Sequence, residues 1–130
     1  MNHRIITLIL IVFLILPACG KNPAGLIIIS SIPMAPLHVH AEYVDKDLIK
    51  VSWDDNSMNE EGFRVSRGST KFGWADIAEV TQSTQVYMDT LRIQEDFQMM
   101  NEGRVSYLVC AHNTLGASEF ALSNEVPINQ

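Results

Sequence analysis

The feature that most constrains this chain is an alternation of apolar and polar residues with period two, repeated along its last hundred positions. Leu37, Val39 and Ala41 alternate with His38, His40 and Glu42, and Ile49, Val51 and Trp53 alternate with Lys50 and Ser52. Phe63 and Val65 alternate with Arg64 and Ser66, Val86 and Met88 flank Tyr87, and Val105, Tyr107, Val109 and Ala111 alternate with Ser106, Leu108, Cys110 and His112. Successive strand side chains point to opposite faces, so each run has an inward and an outward set. Turn-forming residues separate the runs: Asp54-Asp55-Asn56-Ser57, Gly68-Ser69, Gly73, Asn101-Glu102-Gly103 and Asn113-Thr114-Leu115-Gly116. About seven short strands in some hundred residues predict an all-β, two-sheet sandwich. Gln94 to Asn101 lacks the alternation and reads as a long irregular connection between the fifth and sixth strands. A length of 130 residues fits one such domain, and 47% hydrophobic content excludes a wholly disordered chain.

The first twenty residues follow a different rule. Met1-Asn2-His3-Arg4 carries Arg4, and Ile5 to Leu16 is apolar throughout except for Thr7. A twelve-residue helix spans only about 18 Å against a bilayer core of about 30 Å, so this run suits an export signal helix better than a permanent span. The junction Leu16-Pro17-Ala18-Cys19 resembles a bacterial lipobox. The resemblance implies diacylglyceryl transfer to the Cys19 sulfur, cleavage before it, and a membrane anchor of several acyl chains. The expected organisation is a signal peptide over 1–18, acylated cysteine and tether over 19–32, and a domain over 33–130. An ordinary secretory cut at Ala18 is the alternative, while Lys21, Asn22 and Pro23 disfavour an uncleaved span. Gly20 in place of an aspartate tilts an anchored product toward the outer membrane of a diderm, with the domain facing the periplasm or the exterior. Leu26-Ile27-Ile28-Ile29 is unusually apolar for a tether and either joins a sheet edge or lies against the bilayer.

The rest of the chain resembles a fibronectin type III domain, from about Pro33 to Ile128. Pro36 with Leu37-His38-Val39 looks like the first strand of that family. Val51-Ser52-Trp53-Asp54-Asp55-Asn56-Ser57 and Asn59-Glu60-Glu61-Gly62-Phe63-Arg64-Val65 resemble the second strand, its loop and the third strand in bacterial members. Tyr87-Met88-Asp89-Thr90, then Tyr107 to Asn113 with Gly116 and Ser118, then Ser123-Asn124-Glu125-Val126 resemble the fifth, sixth and last strands. The resemblance implies a seven-stranded immunoglobulin-like sandwich with Trp53 buried against Phe63, Val65 and Tyr107. It departs at Val105, where the family usually carries the tyrosine of its tyrosine corner.

Chemistry-bearing clusters are few. Asp55, Ser57 and Asn59 have calcium-loop spacing, but Glu60 stands where such a loop needs glycine, so an Asx-rich turn is expected. His38 and His40 share the outward face of the first strand without a third ligand nearby in sequence, which fits a solvated face better than zinc. Cys110 is expected to point outward, as a partly covered, inert thiol or one open to intermolecular pairing. Arg67-Gly68-Ser69 lacks the acid of a cell-attachment tripeptide, and no nucleophile elbow, phosphate loop or His-Glu-x-x-His motif occurs. Trp74 and Phe72, on a predicted turn, are the candidates for a sugar-stacking surface. Nine Lys and Arg against fifteen Asp and Glu give a net charge of −6, and −7 once a leader carrying Arg4 is removed, which argues against nucleic acid. The expected function is a non-catalytic binding or scaffolding module with no cofactor, metal or small-molecule substrate. It would meet the membrane through Cys19 and a protein partner through Asp55, Asn56, Asn59 and Glu60 of one loop and His112 and Asn113 of another. A ligand-free structural lipoprotein and a carbohydrate-associated accessory domain are the alternatives.

Overall fold

A computed structural model of the chain describes residues 31–92 and 103–128. The expected signal segment, Cys19, Leu26 to Ile29 and the expected connection Gln94 to Asn101 lie outside those residues. The described part is all-β: β1 (Leu37–Asp45), β2 (Leu48–Asp54), β3 (Gly62–Ser69), β4 (Gly73–Thr81), β5 (Val86–Thr90), β6 (Arg104–Asn113), and the short β7 (Gly116–Ala117), β8 (Ala121–Leu122) and β9 (Val126–Pro127). One antiparallel sheet has the order β1-β2-β5, and the other runs β4-β3-β6-β7, with β8 and β9 also paired to β6. Among the described residues no helix is long and apolar enough to cross a membrane.

The inward sets of the two sheets meet in one core containing Val39, Ala41, Ile49, Val51, Trp53, Phe63, Val65, Tyr107, Val109 and Ala111. Trp53 is buried as expected, its ring centre 5.4 Å from that of Phe63 at an interplanar angle of 56°, a tilted pairing favoured by ring quadrupoles. Val105, at the position where the family carries its corner tyrosine, is itself buried.

Three features depart from strict alternation. Leu37 is exposed rather than inward, because His38 adopts a positive φ of 50° and inserts a bulge: Leu37 faces Asp54, yet His40 already faces Ser52. Pro36 takes up buried space ahead of it. Gly68-Ser69 belongs to β3 instead of a turn, and Trp74 sits opposite Gly68 within β4 instead of on a loop. β4 carried no period-two signal because a register shift near Ile77 breaks it, Val65 facing Ala78 while Ser66 faces Asp76. The hairpin closes through Gly73 at φ 89°, a conformation that favours glycine.

The last strand is in three pieces because two serines stand in for its backbone. Ser118 N–H donates to Ala111 O (2.8 Å) while its Oγ accepts from Ala111 N–H (3.0 Å). Ser123 repeats the bracket on Tyr107, at 2.9 Å in both directions. Each hydroxyl then donates to the next carbonyl, of Glu119 and of Asn124, at 2.7 Å. Both β6 positions thereby keep their hydrogen bonds while the strand bends away. Asn124 reaches the other sheet, its side-chain amide accepting from Ala41 N–H and donating to Ala41 O, both at 2.9 Å, which ties β1 to the last strand. Ser123→Ala strips the buried Tyr107 N–H of its acceptor and is expected to cost about 1–3 kcal/mol. Urea unfolding should show a lower midpoint with an unchanged slope.

Candidate functional site: the pole where the chain enters

Strand directions place residues 55–61, 82–85 and 114–115 at one end of the sandwich, together with the segment preceding β1. The opposite end carries Lys46-Asp47, residues 70–72 and the C-terminal end of β9. All six contact residues expected from sequence lie at the first end, and their environments differ.

Asp55 Oδ1 accepts from Ser57 N–H at 3.0 Å, the Asx turn expected for this loop. Asn56 donates to Ala35 O at 3.3 Å. Asn59 donates to Ser31 O at 2.7 Å and accepts from Ser57 Oγ at 2.7 Å. Asn113 donates to the same Ser31 O at 2.9 Å and to Asn59 O at 3.1 Å, while its own Oδ1 accepts from Leu115 N–H at 2.9 Å. Ser57 Oγ lies 3.2 Å from Met34 N, which donates to it. The two loops thus form a clasp closed on Ser31 to Ala35, and the amides proposed for a partner are engaged by the chain itself. Ser31, Ile32 and Met34 were not among the residues expected at this site; their contacts join positions up to 82 apart, which no local pattern reveals.

Glu60 is buried, with Oε2 lacking a hydrogen-bond partner among the described residues, while Glu61 N–H donates to His112 O at 2.7 Å. His112 Nε2 lies 2.8 Å from Glu79 Oε1 across β3. Among the described residues no three His, Cys, Asp or Glu side chains gather as a metal-binding group. His38 Nδ1 is hydrogen-bonded to Asp54 Oδ2 at 2.7 Å, while His40 faces Ser52.

Cys110 does turn away from the core but is not exposed: it is 0% accessible, opposite Arg64 in the β3–β6 register and near Asp76 and Glu79 of β4. The outward direction expected from the sequence holds, and the thiol is covered fully rather than in part. Burial pushes the thiol pKa up despite the neighbouring Arg64, which leaves a poor nucleophile.

A second polar group joins the two sheets. Arg67 Nη1 donates to both carboxylate oxygens of Asp89, at 3.0 and 2.9 Å, and Tyr107 OH donates to Asp89 Oδ2 at 2.7 Å. Arg67 and Asp89 retain 11% and 5% of their side-chain exposure. A signal for this trio exists in the sequence, because Arg67 continues the inward series Phe63, Val65 and Asp89 stands two residues from inward-facing Tyr87.

No protein-family model matches this chain, and no curated protein matches it. Solved structures do. The structure of FN3tt mut aligns with a TM-score of 0.59 at 15% identity, over 77% of this chain and 100% of that one. The fn3 domain of the human collagen alpha-1(XX) chain aligns with a TM-score of 0.57 at 14% identity, over 75% and 87%. A beta-1,2-glucanase from Parabacteroides distasonis aligns with a TM-score of 0.57 at 16% identity, over 77% of this chain but 14% of that one. At these identities the likeness is one of fold: two antiparallel sheets in a fibronectin type III arrangement.

Proposed function

We propose that this fibronectin type III sandwich is the exported portion of an acylated envelope lipoprotein and serves as a non-catalytic binding or scaffolding module. The observation that carries the reading is the clasp. Asn56, Ser57, Asn59 and Asn113 hold Ser31 to Ala35 against the sandwich, so the domain is fastened at the point where the anchor segment arrives. A module held this way keeps one end toward its anchor and presents its sheet faces and far loops outward, which suits display to a protein partner. Acylation of Cys19 supplies the anchor, and Gly20 suits an outer-membrane destination in a diderm.

The test is to express the full chain in a bacterial host and determine the mass of its mature amino terminus. A chain beginning at acylated Cys19 is expected, with Cys19→Ser releasing it from the membrane fraction. An unmodified Cys19 or an intact Met1 overturns the anchor. A stoichiometric protein partner recovered in mild detergent is expected for a scaffold, and its absence favours a structural lipoprotein without a ligand. The likeness to part of a glucanase supports a second reading, a carbohydrate-associated accessory domain, with exposed Phe72 beneath the Lys71 ammonium and Trp74 next to it in β4. Binding to insoluble polysaccharide that fails in Trp74→Ala would select that reading.

A further inference from the structure

The clasp has an apolar rim. Ile32, Met34, Met58 and Leu115 are 52%, 61%, 102% and 54% exposed. Hydrogen bonds seat them together: Met34 N–H on Ser57, and Ser31 O on Asn59 and Asn113. Ile32 Cγ2 also packs against Gly116, where an added Cβ would stand 3.0 Å from it. Four large apolar side chains on the tips of adjoining segments are more than the scattered exposure of an ordinary surface. The segments 31–38, 54–61 and 112–118 contain no Lys or Arg, while Asp54, Asp55, Glu61 and the buried Glu60 lie on them with His38 and His112.

We propose that this rim is a membrane-docking surface that seats the loop tips in the headgroup region of a zwitterionic bilayer. The proposal rests on the anchored reading above. Ser31 lies twelve positions after Cys19, so an acylated thiol lies at most about 40 Å of extended chain from this pole. The clasp makes it the end of the domain that the tether draws toward the lipid. Apolar side chains at an interface gain free energy by burial, and the acidic residues on the same segments disfavour anionic headgroups. The opposite pole, farther from the anchor by the length of the sandwich, faces away.

The mature acylated chain in phosphatidylcholine vesicles tests this. An environment-sensitive dye is placed on Met58→Cys, and on Thr70→Cys at the far pole; buried Cys110 with its raised pKa stays unlabelled. Nitroxide-bearing phosphatidylcholine is expected to quench the dye at 58 several-fold more than at 70. Leu115→Glu should reduce that quenching, and so should added phosphatidylglycerol, with the chain still bound in both cases. Equal quenching at 58 and 70 in vesicle-bound chain overturns the docking surface and leaves the anchor standing. A chain without acyl groups that does not bind vesicles overturns both. A dye at 58 already shielded without vesicles also overturns the proposal, in favour of a second copy if shielding rises with concentration and of residues 26–29 if it does not.

Discussion

Trp53→Ala is expected to abolish a stable fold, at a cost of about 3–5 kcal/mol set against the 5–15 kcal/mol typical of a whole domain. The indole is 2% exposed, tilted against Phe63, and lies among Val51, Val65 and Val109 in the inter-sheet core. Its removal leaves a cavity that rigid strands on both sides cannot close. Not all of the side chain is favourable, because Trp53 Nε1 is buried without a hydrogen-bond partner among the described residues, a deficit of about 1–3 kcal/mol. Trp53→Phe, which keeps an aromatic ring and deletes the unpaired donor, should therefore lose much less than Trp53→Ala. Thermal unfolding followed by circular dichroism checks both. A cooperative melt of Trp53→Ala within a few degrees of the parent would show that the indole is not the centre of the core.

Asp89→Ala is expected to be comparably damaging for the opposite reason. Asp89 accepts from Tyr107 OH and holds Arg67 by two hydrogen bonds. Removing the carboxylate takes two hydrogen bonds from a nearly buried guanidinium, and breaking such a pair costs about 3–5 kcal/mol. The double variant Arg67→Met with Asp89→Ala should recover part of that loss. A coupling energy of more than about 1 kcal/mol between the two sites is the expected result of the cycle; additive losses would mean the pair does not act as a unit. The same trio sets an alkaline limit. Burial raises the Tyr107 pKa, reinforced by the Asp89 charge and hydrogen bond and opposed by Arg67. The folded phenol thus stays protonated where the unfolded one ionises, near pH 10. Its contribution is fully present below that pH, and stability should decline as pH rises above it. Tyr107→Phe should flatten that decline.

Much of the fold was legible because period two assigns each residue a face without knowledge of its neighbours. Trp53, Phe63, Val65, Tyr107 and Val109 were placed inward on that ground, and all are buried. The rule failed where an extra residue changes the count, at the His38 bulge that turns Leu37 outward and at the shift near Ile77 that hides β4. It also assigned Cys110 a direction correctly without seeing what stands over it. The serine brackets were visible only as Ser118, Ser123 and Asn124 in a strand-like segment; their meaning depends on β6 and β1 lying alongside.

By itself the sequence determined the all-β class and the identity of the core side chains, since each follows from spacing along the chain. Only the tertiary structure decided that Ser31 lies under Asn59 and Asn113, and that Arg67, Asp89 and Tyr107 meet across the sheets. Those contacts span 18 to 82 positions. Periodicity fixes which way a side chain points, but register and loop closure fix what it meets.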